Sequence, residues 1–252
     1  MSSKRRDVTV HDTHRWVFNR MAEDYDARPP YPPTLIDTLV ESIGSGSRVL
    51  DIGAGIGHLA LPLATRGFNV TAVEPAQAML GRLEQAAGSQ GLDLQTTQAA
   101  AEDLPFEDAA FDVAVIADAL HFISPELAAA QLHRVLARRG VLAIVTCEYS
   151  PTPFMHGIEG LVAEIADRRP RDVRQRIRRL AARADVKLTR QWSFQQEVPV
   201  DYATLERILR SISFIGPAFG PARFETLRQG VRAMPYQPVW ARTFTLNIGR
   251  RR

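Results

Sequence analysis

Residues 49–57, Val-Leu-Asp-Ile-Gly-Ala-Gly-Ile-Gly, decide the fold: an apolar run enters an acid and then meets three glycines at every second position. Gly53, Gly55 and Gly57 carry no Cβ, so the backbone turns sharply and a ligand approaches it closely. His58-Leu59-Ala60-Leu61 then has helix-forming character, and a helix over 58–66 would turn free N–H donors toward that ligand. The pattern is that of a nucleotide-cofactor turn. A dinucleotide turn needs G-x-G-x-x-G, and its last glycine position is held by His58, which argues against a nucleotide-dependent oxidoreductase.

Outward from this turn, Val70-Thr-Ala-Val-Glu74 reads as a second strand ending in an acid 21 positions after Gly53, where a carboxylate accepts both hydroxyls of a ribose. Strands are predicted at 48–52, 69–74, 93–99, 111–117 and 141–147, with helices near 58–66, 76–87 and 125–138 between most of them. Pro125 suits a first helical turn, with Ser124 as its N-cap. Right-handed crossovers make this an α/β doubly wound, mostly parallel sheet with helices on both faces. A helical segment at about 11–23, a Pro-rich link at 29–33 and a helix at 34–43 precede it. Beyond residue 150 the pattern gives insertion helices, a strand at about 188–198, helices near 203–213 and 221–233, and a last strand at about 239–248.

The D-x-G-x-G-x-G turn at 51–57 resembles motif I of class I S-adenosylmethionine (SAM) dependent methyltransferases. Ala99-Ala-Ala-Glu-Asp-Leu-Pro-Phe106 and Phe111-Asp-Val-Ala-Val-Ile-Ala-Asp-Ala-Leu-His-Phe122 narrow the likeness to the ubiquinone/menaquinone-type (type 11) small-molecule branch. That branch has an adenine-side loop reading G-D-A-E-x-L-P-F and a fourth strand ending in A-L-H-H or similar. Gln131 to Val145 resembles its next helix, turn and fifth strand. The resemblance implies a Rossmann-like seven-stranded sheet with the final strand antiparallel, and SAM as cofactor. Position by position it implies cofactor contacts from Asp51, Gly53, Gly55, Glu74, Pro75, Met79, Ala100, Ala101, Glu102 and Ala117. Ala100 departs from the pattern, because the family places Asp or Asn beside the adenine amino group. Backbone groups of Ala100 and Ala101, or the Glu102 carboxylate, would have to substitute.

The N-terminal residues extend the likeness. Tyr25-Asp26-Ala-Arg28-Pro-Pro-Tyr31-Pro resembles the family's Y-D-x-x-R-P-x-Y-P segment, which covers the cofactor. The resemblance implies a catalytic-site role for Tyr25, its hydroxyl toward the reacting methyl, and a pairing of Arg28 with the methionine carboxylate. His14, Val17, Phe18, Met21 and Tyr25 share one helical face. His121, just past the fourth strand at the sheet's carboxyl edge, is the candidate general base, since imidazole titrates near neutrality. A base contributes roughly 10²–10⁴ in rate, whereas near-attack positioning contributes on the order of 7–11 kcal/mol. Positioning therefore dominates, and a base is optional. The expected organisation is a helical cap at 1–33 and a methyltransferase domain at 34–252, with a helical insertion at 150–187 covering part of the acceptor site.

Composition bounds the partners. At 252 residues and 45% hydrophobic, the chain supports one elaborated α/β domain. Cys147 is the sole cysteine, so no intrachain disulfide forms, a zinc cluster is not expected, and a reducing cytoplasm fits. Charged residues break the stretch from Val8 to Val17, so no signal-peptide core or membrane span is read there. The net charge of +3 comes from the ends, where Lys4, Arg5, Arg6, Arg250, Arg251 and Arg252 exceed it. A second concentration, Arg168 to Arg183, holds eight arginines and one acid, with Val173, Ile177, Leu180, Ala181 and Ala184 forming an apolar seam. No aromatic residue interleaves these arginines, so a nucleic-acid partner is not expected. The reading is methyl transfer from SAM to an O, N or C atom of a small metabolite, with secondary metabolism as its setting. The alternatives are an RNA or protein methyltransferase, or a SAM-binding protein that does not methylate.

Overall fold

Strand β1 (Arg48–Ile52) and strand β4 (Phe111–Ala117) sit at the middle of the molecule and carry almost uninterrupted apolar runs. In β4, Val113, Ala114, Val115 and Ile116 are all at most 1% exposed, as parallel strands covered on both faces must be. The computed structural model describes residues 10–165 and 172–252, with side chains from residue 17 onward. Its single sheet adds β2 (Asn69–Val73), β3 (Gln95–Thr97), β5 (Leu136–Tyr149), β6 (Val186–Pro199) and β7 (Val239–Arg251), in the order β3-β2-β1-β4-β5-β7-β6. Strands β1 to β5 pair in parallel, and β7 runs antiparallel between β5 and β6. The doubly wound sheet with an antiparallel last strand is therefore present as expected. No helix among the described residues is long and apolar enough to cross a membrane.

Alternate residues of each strand feed two cores. Val49, Val70, Val113 and Val141 face helices α2 (Pro33–Ile43), α3 (Ala60–Thr65) and α4 (Gln77–Ser89). Leu50, Ile52, Ala114 and Leu142 face helices α5 (Pro125–Val135) and α7 (Val173–Arg183). A third core lies under α6 (Pro153–Ile165), α8 (Tyr202–Arg210) and α9 (Pro221–Arg232). Helix α1 (Val10–Tyr25) closes over the carboxyl end of the sheet: Met21 and Ala22 pack on Ala76 and Met79, with Val17, Phe18 and Tyr25 beside them. The expected inward face of α1 is thus formed from Val17 on, and the side chain of His14 lies outside the described residues. Asn19 fastens the cap further, its Oδ1 accepting the N–H of Ala78 in the first turn of α4 at 2.9 Å.

Several features differ from the sequence reading. Helix α3 begins at Ala60 rather than 58, leaving six residues and a longer turn before it. Helix α5 stops at Val135, because Leu136 already pairs with Phe111 in the sheet, and Arg139 (φ 62°) lets the strand bulge before Val141. Tertiary pairing there overrides the helical character of Leu-Ala-Arg-Arg. The insertion also divides between two cores. Its arginine-rich half, α7, lies along α5 with Ile177, Leu180, Ala181 and Ala184 buried, while Arg174, Arg178, Arg179 and Arg183 are exposed. The seam is as read, and Arg176 reaches the carbonyls of Leu120 and Ile123; Arg168, Arg169 and Arg171 lie outside the described residues.

Leu180 is fully buried in that seam. Leu180→Ala should lower the unfolding free energy by about 2–5 kcal/mol, whereas Arg178→Glu should change it by no more than about 0.5 kcal/mol. Urea denaturation of both variants checks this; equal effects would mean that α7 is not held by its apolar seam.

Candidate active site

The turn after β1 is held from below. Gly53 and Ala54 donate their N–H groups to the Val73 carbonyl at 2.8 and 3.0 Å, which locks the turn onto the end of β2. Gly53 has φ +73°, and a Cβ on it would lie 2.6 Å from the Ala119 Cβ, so both conformation and space demand glycine. Its requirement comes from the chain's own packing as well as from any ligand. The Glu74 carboxylate then clamps the turn to the start of α4: Oε2 accepts the Gly55 N–H at 3.0 Å and Oε1 the Ala76 N–H at 2.9 Å. Glu74 is 6% exposed, and burial raises its pKa against the pull of those two N–H groups.

In front of this clamp lies a cleft of about 710 Å³, open solvent at its mouth included. It runs across the carboxyl ends of β1, β2 and β4, the place where open α/β sheets bind ligands. Of the residues singled out from the sequence, Gly53, Gly55, Glu74, Pro75 and Met79 form its floor and one wall. Ala100, Ala101, Glu102 and Ala117 form the opposite side, and Tyr25 closes it from above. Glu102 also accepts the Ser124 N–H at 2.8 Å, which ties the loop before β4 to the N-cap of α5. Phe18 and Phe122 meet edge to face, with centroids 4.7 Å apart, and shut the far end.

Three residues stand elsewhere. Asp51 is 1% exposed and lies behind the turn, outside the cleft wall; it accepts the Ala60 N–H, while its Oδ2 has no partner. Burial, aided by the nearby Glu74 charge, raises its pKa to about 7. His121 lies in the 3₁₀ turn Leu120–Phe122, its ring 3.9 Å from that of Phe122, and belongs to the wall of neither cleft. Arg28 faces a second cleft of about 270 Å³, which shares Tyr25 and Asp118 with the first. Pro29, Tyr31, His58, Arg242 and Phe244 complete that second space.

The second cleft is densely polar. The Arg28 guanidinium lies 4.2 Å above the Tyr25 ring, donates from Nη1 to the Tyr25 hydroxyl at 3.3 Å, and is anchored on the Oγ and carbonyl of Ser211. The Tyr25 and His58 rings stack at 5.9 Å. Burial, followed by the Arg28 and Arg242 charges, lowers the His58 pKa to about 4, so its imidazole is neutral. Asp118 takes an uncommon left-handed backbone (φ 50°) at the end of β4, its N–H bound to the Val145 carbonyl at 2.9 Å. Burial raises its carboxyl to about 6, opposed by the same two arginines. Asp118 was legible as an acid directly following the fourth strand, and Tyr31 and His58 stood within the quoted motifs; Arg242, in β7, had no local signal.

Residues 50–144 match the family model described as a methyltransferase domain. Over that stretch the chain is similar to methyltransferases. An uncharacterized methyltransferase of Mycobacterium tuberculosis is 37% identical over 146 residues, which is 58% of this chain and 55% of that protein. The aligned part thus spans little more than half of the curated relatives it matches. Among solved structures, the YcgJ protein from Bacillus subtilis superposes with a TM-score of 0.59 at 18% identity, over 86% of this chain and 97% of that one. Geranyl diphosphate C-methyltransferase from Streptomyces coelicolor, solved with geranyl diphosphate, magnesium and S-adenosylhomocysteine, gives 0.54 at 13% identity, over 87% and 79%. At these identities the likeness is one of fold.

The buried carboxylate of Asp51 gives the stability of the fold a pH dependence. Its folded-state pKa of about 7 lies above the unfolded carboxylate value, so the folded state holds the extra proton between them. Its contribution to stability is therefore full at acid pH and is lost as pH rises toward 7. Asp51→Asn should flatten this part of the profile, and the difference between the two proteins, from ligand-free melts at pH 5 and 7.5, is the measurement. An unchanged slope would mean that Asp51 titrates normally.

Proposed function

We propose that the protein transfers a methyl group from SAM to an O, N or C atom of a small organic acceptor. The observation that carries the reading is the pair of joined clefts at the carboxyl edge of the sheet, one walled by the Glu74 clamp and the other meeting it at Tyr25 and Asp118. SAM, when bound, supplies a sulfonium methyl already activated for displacement, with a neutral thioether as leaving group. The residues present fit it. Each Glu74 oxygen spends one lone pair on a backbone N–H, which leaves acceptor capacity for ribose hydroxyls. Ala100 offers no side-chain partner to an adenine, so the backbone of Ala100 and Ala101 or the Glu102 carboxylate, which lines the same wall, takes that part. Tyr25, held by Arg28 and stacked with His58, orients the reacting end and excludes water.

Where the acceptor atom carries a proton, Asp118 is the group placed to take it. It is the one carboxylate common to both clefts and is ionised above about pH 6. His121, set outside both, serves instead to hold the 3₁₀ turn against Phe122. The enclosed size of the second cleft favours a compact metabolite over a folded nucleic acid or protein.

Calorimetry should detect binding of SAM and S-adenosylhomocysteine and none of NAD, and saturating ligand should raise the melting temperature by mass action. Glu74→Ala should weaken binding by about 1.5–3 kcal/mol, the scale of hydrogen bonds to a charged group. A wild-type protein that does not bind SAM would end this reading. With an acceptor in hand, Asp118→Asn should lower kcat by roughly 10²–10⁴ and abolish the fall in rate below about pH 6, with SAM affinity retained. His121→Ala should leave kcat near wild type; the reverse pattern would return the base role to His121.

A further inference from the structure

The second cleft contains more positive charge than its own carboxylate balances. Arg28 and Arg242 line it together with Asp118, and the remaining polar groups, Tyr25, Tyr31 and His58, are neutral near pH 7. Among the described residues neither arginine is in an ion pair within 4.0 Å. Arg242 is 8% exposed, and only its Nη2 is used, donating to the carbonyls of Pro29 and Pro30 and to Gln196. Its Nε is fully buried and has no hydrogen-bond partner. An unmet N–H on a buried guanidinium is costly, and a guanidinium edge matches a carboxylate with two parallel hydrogen bonds.

From this geometry we infer that the second cleft is the acceptor's anion subsite, and that the methyl acceptor is a small carboxylic acid held by its carboxylate on Arg242 and Arg28. The inference rests on the methyl-transfer reading and adds the substrate class. Two guanidinium groups facing one aspartate leave a single positive charge to neutralise, which suits one carboxylate better than a phosphate carrying nearly two negative charges. The space, about 270 Å³ with the open solvent at its mouth included, is well under half that of the first cleft and suits a small anchored group. Tyr25 and Asp118, shared with the first cleft, then lie between the anchored acid and the cofactor. The carboxylate serves as a handle, so the atom methylated lies elsewhere on the acceptor, at the junction.

The same chemistry has a second source, the methionine carboxylate of the cofactor, and the test separates the two. Full-length protein saturated with S-adenosylhomocysteine is titrated calorimetrically with acetate, succinate and benzoate, and with the corresponding amides. At least one acid should bind saturably, with its amide weaker by about tenfold or more. Arg242→Gln should weaken that acid about tenfold while changing S-adenosylhomocysteine affinity by less than about twofold, and Arg242→Lys should lie between them. Acids and amides binding equally, or no acid binding, would overturn the proposal while leaving the methyl-transfer reading intact if S-adenosylhomocysteine still binds. Loss of S-adenosylhomocysteine affinity in Arg242→Gln would assign the guanidinium to the cofactor instead and overturn it too. If Arg242→Gln does not fold, as circular dichroism would reveal, the wild-type acid and amide pair still decides.

Discussion

One buried carboxylate, Glu74, joins the parts from which the site is made. It takes one N–H from the glycine turn after β1 and one from the start of α4, so two chain segments that never pair in the sheet are fixed to each other. Burial alone disfavours its charge, and the two N–H groups return part of that cost. Without it, both N–H groups would lose this partner. The cap depends on the same joint: Ala76, whose N–H Glu74 holds, and Met79 form the surface on which Met21 and Ala22 of α1 pack. Tyr25 thereby comes to rest over the turn, where a Cβ on Gly55 would lie 3.8 Å from its ring.

The sheet and its cap supply different halves of the electrostatics. The carboxylates, Asp51, Glu74 and Asp118, come from the ends of β1, β2 and β4, and burial raises all three. The cations come from outside the parallel core: Arg28 from the link after α1, and Arg242 from the antiparallel strand β7. Arg242 Nη2 holds the carbonyls of Pro29 and Pro30, so the strand that supplies one arginine also positions the segment that carries the other. The two clefts meet where these halves meet.

The largest concentration of charge in the sequence has a plainer part. Helix α7 turns its apolar seam onto α5 and leaves four arginines in solvent, while Arg176 bonds the carbonyls of Leu120 and Ile123 at the base of the 3₁₀ turn. It reaches neither cleft with a wall residue. The arginines that line the second cleft are isolated ones, Arg28 and Arg242, which no run of charge announces.

Much of the fold was legible because its signals are local. The apolar run into Gly53-Ala-Gly55-Ile-Gly57, the acid ending Val70 to Glu74, and the alternation of strands with helices each depend on residues adjacent in the chain. Those features predicted β1 and β4 to the residue and singled out Gly53, Gly55 and Glu74, which line the first cleft. Segment ends were less legible where long-range pairing competes with propensity, as Leu136 does by pairing with Phe111. The roles of single polar residues were set by the tertiary structure. Asp51 went behind the turn and His121 beside Phe122, while Asp118 stood between the clefts, because burial and orientation depend on what packs from the other side. Arg242 is the clearest case: its sequence neighbours say nothing, and only the antiparallel insertion of β7 beside β5 carries a guanidinium 214 positions from Arg28 into the same enclosed space.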